Sequence, residues 1–247
     1  MICRARRRMG RAALVALCFG LLAAPAGAGC RLALALGLDV SGSVDDAEYR
    51  LQLDGVAGAL MAPEVQDALF GVPGTHVMLS VYQWGAERQQ TVLLRWSRIE
   101  TPADAAEAAE ALRRADLRFD DPFTALGAAM RFGGALLDER RECWQRTLDI
   151  SGDGPSNAGP LPATVLTDPG AGITINALVV NPGGRDNVTK DLTHTRTLLD
   201  HYRAHVLRGP GAFVETARDF SDFEAAMTRK LMREIRPAAL SLGPAPQ

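Results

Sequence analysis

Asp39, Ser41 and Ser43 stand at every second position directly after an unbroken apolar run, Leu32 to Leu38. Side chains on an extended segment alternate between its two faces, so residues two apart point the same way. One carboxylate and two hydroxyls can therefore converge on a small cation. Such oxygen donors suit a hard ion, Mg2+ or Mn2+, and include no thiolate or imidazole to select zinc or copper. A second acid at the end of a neighbouring strand would complete the cup, and Asp149-Ile150-Ser151-Gly152-Asp153-Gly154 supplies it. Asp153 is the better placed of the two acids there, because its flanking glycines mark a strand-end turn, whereas Asp149 falls within the strand. Thr124 adds a third hydroxyl from the loop before a helix. Taken singly, each piece is also an ordinary turn or helix cap. Their order along one α/β pattern is what points to a shared site.

The elements that must position these residues are legible as an alternation. Strand-like runs are Leu32 to Leu38, His76 to Trp84, Thr91 to Trp96, Arg146 to Ile150, Ile173 to Val180 and Ala212 to Thr216. Helical patterns lie between them, which predicts a doubly wound, mostly parallel six-stranded sheet with helices on both faces. A short turn containing Gly85 joins the second and third runs, so that pair is expected as an antiparallel hairpin at one edge. Helices are expected over Asp45 to Leu60 and Thr124 to Leu137, the latter with Gly133-Gly134 explained by close packing on the sheet. Thr101-Pro102-Ala103-Asp104 opens a third, to about Ala115, and Ser221-Asp222-Phe223-Glu224 reads as a capping box opening a last one. Trp84, Trp96 and Trp144, on or beside strands, are expected to serve packing. Asn181 to Asn187 reads as a surface loop. An open sheet of this type binds ligands outside the carboxyl ends of its strands, where Asp39 sits.

Residues 1–28 carry the marks of a secretory signal peptide: five arginines, an apolar stretch from Ala12 to Ala24, and the small-x-small pattern Ala26-Gly27-Ala28. The expected organisation is a signal at 1–28, one domain at 29–236 and a flexible tail at 237–247. No later segment reaches the roughly 20 apolar residues of a spanning helix. Removing five arginines from 27 basic residues, against 29 acidic ones, shifts the net charge from −2 to −7. An acidic chain without a long basic run is a poor partner for nucleic acid or an anionic membrane. Export would take the protein to the periplasm or outside the cell, and Cys3 and Cys18 would leave with the signal. Cys30 and Cys143 remain, each just upstream of a strand that leads to a candidate metal acid. If those strands are parallel neighbours about 4.8 Å apart, the cysteines start side by side and can bridge. Two free thiols, or lipidation of Cys30 after Ala28-Gly29, are the alternatives.

The set Asp39, Ser41, Ser43, Thr124 and Asp153 resembles, position by position, the metal-ion-dependent adhesion site of the von Willebrand factor type A (VWA) domain. That resemblance implies direct metal contacts from the hydroxyls, water-mediated contacts from the acids, and one coordination position left for a carboxylate of a partner. The chain is similar, more closely, to an uncharacterised exported bacterial VWA-like family, the domain of unknown function 1194. The segments that carry this likeness are Leu38 to Ser43, Ser151 to Asn157, Gly172 to Asn176, Gly209 to Phe213 and Arg218 to Phe220. One departure is His205, where relatives tend to carry cysteine.

Other motifs lose to this reading. His201 and His205 have the spacing of a zinc helix, but Tyr202 stands where the basic glutamate belongs, so they read as helix surface. Ser41 lacks the Gly-x-Ser-x-Gly elbow of serine hydrolases. The leading expectation is a non-catalytic binding module that presents Mg2+ or Mn2+ to a carboxylate of a protein partner. A metal-dependent hydrolase or phosphatase with Asp39 as nucleophile is the alternative. It wants a second acid where Ser41 stands and a nearby lysine, and none occurs between Asp39 and Lys190. A structural envelope protein with a vestigial site is the third reading.

Overall fold

The structure is a computed structural model that describes residues 29–116, 122–166, 172–181 and 188–236, with side chains in the last stretch described from residue 195. The expected signal peptide, the tail and residues 182–187 of the expected loop lie outside the described residues.

Six strands form one sheet: β1 (Gly29–Asp39), β2 (Thr75–Trp84), β3 (Gln90–Ile99), β4 (Gln145–Gly152), β5 (Ile173–Val180) and β6 (Val214–Ala217). Their order is β3-β2-β1-β4-β5-β6, and every neighbouring pair is parallel except β2 with β3. The chain grows outward from β1 in one direction and then, from β4, in the other. The order therefore reverses between β1 and β4, and a crevice opens at their carboxyl ends. The helices are α1 (Asp46–Met61), α2 (Pro63–Phe70), α3 (Pro102–Arg113), α4 (Leu126–Asp138), α5 (Val188–His205) and α6 (Phe223–Ile235).

The apolar run of β1 sorts itself by pleat. Leu32, Leu34, Leu36 and Leu38 face one core with α1, α3 and α6, while Ala33 and Ala35 face the other with α4 and α5. Large residues fill one face and small ones let helices approach the other. On the small face an added Cβ at Gly37 would meet the Tyr82 ring, and one at Gly133 in α4 would lie 2.7 Å from Tyr82 Oη. Tyr82 Oη in turn donates to Ala129 O at 2.9 Å, which pins α4 to the sheet. The glycines of α4 are thus where the helix touches its neighbours, as the sequence implied.

Local departures have physical reasons. Thr101 caps α3 with Asp104 as reciprocal partner, as expected. The box expected at Ser221 and Glu224 does not form: Phe220–Asp222 is a 3-10 turn capped by Asp219, whose carboxylate also takes the Ser221 hydroxyl. Asp222 then precedes α6 without a side-chain cap. Strand β6 starts two residues later than expected, because Gly209 and Gly211 at φ +84° and +70° prolong the turn before it. Helix α2, opened by Pro63 at its first turn, was not anticipated. Trp84 is fully buried, whereas Trp144 is 69% exposed and packs at the start of β1, where an added Cβ at Gly29 would lie 3.1 Å from its ring.

Cys30 and Cys143 form a disulfide with Cα atoms 4.6 Å apart. Leu32 pairs with Gln145 in the parallel β1–β4 ladder, so the two cysteines begin adjacent strands. The bridge occupies the Cys30 sulfur, which leaves none for a lipid.

Candidate metal centre

Register carries the two acids together. Gly37 lies beside Ile150, so two residues on, the end of β1 meets the end of β4. An added Cβ at Gly152 would collide with the Tyr202 hydroxyl and lie 3.1 Å from Asp39 Oδ2, so glycine there leaves room for both side chains. Asp39 and Asp153 are 1% and 3% exposed. Asp39 Oδ1 accepts from Ser41 N at 2.8 Å, which turns the chain at the strand end. Ser43 Oγ donates to Asp153 Oδ1 at 2.7 Å and lies 3.5 Å from Ser41 Oγ. Four of the five candidate residues are thereby joined in one polar cluster: Asp39, Ser41, Ser43 and Asp153.

The loop that carries Thr124 passes beside the Ser-Gly-Ser turn. An added Cβ at Gly42 would lie 2.6 Å from Pro122 Cα, so the loop meets the turn two residues before Thr124. Thr124 itself is 6% exposed. Its backbone is held on both sides, with Thr124 N donating to Asn157 Oδ1 at 2.8 Å and Thr124 O accepting from Asn157 N at 3.0 Å. Ala125 N donates to Gly85 O at 2.9 Å, which ties the loop to the β2–β3 turn. The helices α1 and α4 both begin within three residues of these hydroxyls. Both helices direct the positive ends of their dipoles toward the crevice, that of α1 offset by its cap Asp45 and its first-turn acids Asp46 and Glu48.

Supports that the sequence reading did not assign lie just below. Gln52, on the buried face of α1, donates to Asp39 O at 2.8 Å and accepts from Ser151 Oγ at 3.4 Å. Tyr202, fully buried on α5, donates to Gly154 O at 3.4 Å. The helical histidines thus flank a core residue: the His201 and His205 rings lie with centroids 5.0 Å apart, tilted by 59°, and Tyr202 points beneath the cup. A signal existed for both. Gln52 stands between Tyr49 and Leu53 on an otherwise apolar face, and Tyr202 is one turn after Leu198. Asp149 stays out of the cup. It sits within β4, opposite Leu36 and Asn176, with Lys230 Nζ 3.0 Å from its carboxylate.

The electrostatics are those of two carboxyl groups buried side by side. Burial, and then the neighbouring Asp153 carboxylate, raise the Asp39 pKa from its ordinary 3.8 to about 8. Asp39 Oδ2 is buried and has no hydrogen-bond partner. Tyr202 is raised well above its ordinary value, first by burial and then by Asp39 and Asp153. A small divalent ion beside Oδ2 would remove both the repulsion and the orphaned acceptor. Among the described residues no group of three or more His, Cys, Asp or Glu side chains could hold a metal, so an ion here relies on the hydroxyls.

The sheet order, the crevice and the placement of the Asp-x-Ser-x-Ser turn define a VWA-like domain. The chain belongs to the family described as a protein of unknown function, DUF1194, whose pattern matches residues 29–239. Solved structures of similar fold include a von Willebrand factor type A protein from Catenulispora acidiphila (TM-score 0.54, 17% identity, covering 84% of this chain and 43% of that one). Another is the pilus adhesin SpaC from Lactobacillus rhamnosus GG (0.58, 14%, 83% and 31%). A third is proximal thread matrix protein 1 from the mussel byssus with a zinc-occupied MIDAS motif (0.52, 15%, 83% and 48%). This chain spans less than half the length of each. No curated protein matches it by sequence.

Proposed function

We propose that this protein is an exported, non-catalytic binding module that holds Mg2+ or Mn2+ in the crevice and offers it to a carboxylate of a protein partner. The observation that carries the reading is the orphaned, buried Asp39 Oδ2 in the cluster that Asp153 forms with the Ser43 and Ser41 hydroxyls. Ser41, Ser43 and Thr124 are the direct ligands, and Asp39 and Asp153 offset the ion's charge. Two acids with neutral hydroxyls leave a bound divalent ion electrophilic, and a further carboxylate completes its shell. The chain's own part is to orient these oxygens: Ser41 N fixes the Asp39 carboxylate, Ser43 Oγ fixes that of Asp153, and Gln52 holds the Asp39 carbonyl. A divalent ion in the corresponding motif of the mussel protein, and the adhesin role named for SpaC, favour the same reading. The Cys30–Cys143 bridge favours an oxidising compartment. No described helix is long and apolar enough to cross a membrane.

The test is a pull-down from envelope extract with native protein and Asp39→Ala, each in Mg2+ and in chelator. Partners retained only by native protein with Mg2+ support the module. Partners retained equally by a variant that has lost metal binding contradict it.

A further inference from the structure

The metal cup lies at the carboxyl ends of β1 and β4. At the opposite pole, where β4 and β5 begin, a cleft of about 700 Å3 opens, within the usual size of a small-molecule site. The Gly172–Asn176 and Arg208–Phe213 segments form two of its walls and the last turn of α6 a third. Neither segment contributes to the metal cup.

Among the described residues four arginines line this cleft, Arg146, Arg208, Arg233 and Arg236, and one acid, Glu234. That acid is already committed, with Oε1 accepting from Lys230 Nζ and from Asn176 Nδ2, each at 2.7 Å. Arg146 shares Asp138 at 3.2 Å. Arg208 is held by the carbonyl oxygens of Leu207, Pro162 and His205 at 2.8, 3.2 and 2.9 Å, which fix its direction without neutralising its charge. Arg233 lies over the Phe213 ring at 3.8 Å. Arg208, Arg233 and Arg236 thus face the cleft with no carboxylate partner among the described residues. Like charges gathered around water repel one another, and a multiply charged anion relieves that repulsion. Guanidinium groups present planar forks that match phosphate oxygens. Two of them are oriented before a ligand arrives, so less freedom is lost on binding.

We propose that this cleft is an anion site for a small ligand bearing two or more phosphate charges, independent of the metal cup. The phosphate belongs either to a soluble molecule or to a lipid headgroup, and two probes separate the sources. Calorimetry with inorganic pyrophosphate, in chelator so that the cup holds no metal, should show one site in native protein and in Asp39→Ala alike. Co-sedimentation with cardiolipin vesicles, whose headgroup carries two phosphates, against phosphatidylcholine vesicles, reports the headgroup. Arg233→Gln/Arg236→Gln alters two exposed side chains and should weaken whichever probe binds by about tenfold or more, as expected for lost charge-assisted bonds. Unchanged circular dichroism shows that the variant is folded. Failure of native protein to bind either probe overturns the proposal, as does binding that survives the double substitution.

Discussion

Thr124 and Asn157 hold each other by two hydrogen bonds, Thr124 N to Asn157 Oδ1 at 2.8 Å and Asn157 N to Thr124 O at 3.0 Å. The loop that brings the third hydroxyl to the cup is therefore fastened to the turn that brings the second acid. Asn157→Ala removes the side-chain half of this latch and leaves the fold intact. Affinity for Mn2+ should fall severalfold to tenfold, the scale of a lost positioning contact. Titration calorimetry on the variant checks it, and unchanged affinity would mean that Thr124 needs no such support.

The raised pKa of Asp39 sets a pH dependence. An unfolded aspartate releases its proton near 3.8, whereas Asp39 in the metal-free fold keeps it until about pH 8. Over that window the native state binds more protons than the unfolded state, so stability falls as pH rises. Asp149, also raised to about 8 by burial, adds to the slope from outside the cup. A divalent cation should abolish the Asp39 part and leave the Asp149 part. Denaturant unfolding in chelator and in Mg2+ between pH 4 and 8 measures both. A chelated protein that gains stability with rising pH would contradict the assignment.

The disulfide closes a loop of sequence separation 113 and joins the strands whose far ends carry Asp39 and Asp153. Chain-entropy arguments assign a loop of that size about 4–5 kcal/mol. Cys30→Ala/Cys143→Ala should lower the melting temperature by several degrees or more in non-reducing buffer. Metal affinity should change less than stability, because the bridge sits at the opposite ends of the strands.

Lys230 is fully buried between Asp149 and Glu234, at 3.0 and 2.7 Å. Lys230→Met fits the space but strands two buried carboxyl groups, and removing one partner of such a cluster typically costs about 3–5 kcal/mol. Chemical denaturation reads the loss directly. A variant as stable as the native protein would show that neither carboxyl group relies on the Lys230 ammonium.

Legibility in the sequence followed physical rules residue by residue. Ile173 to Val180 was read to its ends, because a short apolar run bounded by glycine has one reading in an α/β pattern. Thr101 and Asp104 were read as a cap because the signal is local and nothing competes. Ser221 failed because Asp219, two residues earlier, captures its hydroxyl and starts the turn sooner. For the cup, the strand-end acids and the Ser-Gly-Ser turn were visible as spacing. For the supports, the helix faces of Gln52 and Tyr202 mark them as buried, but the groups that they and Asn157 hold are not legible, since only the tertiary register brings those partners together.

The most direct test is calorimetric titration of native protein and Asp39→Ala with Mn2+ and with Mg2+. The account predicts one divalent site in native protein, with protons released on binding as Asp39 ionises, and no site in the variant. Native protein that takes up neither ion at millimolar concentration, or a variant that binds as well as native, would contradict it.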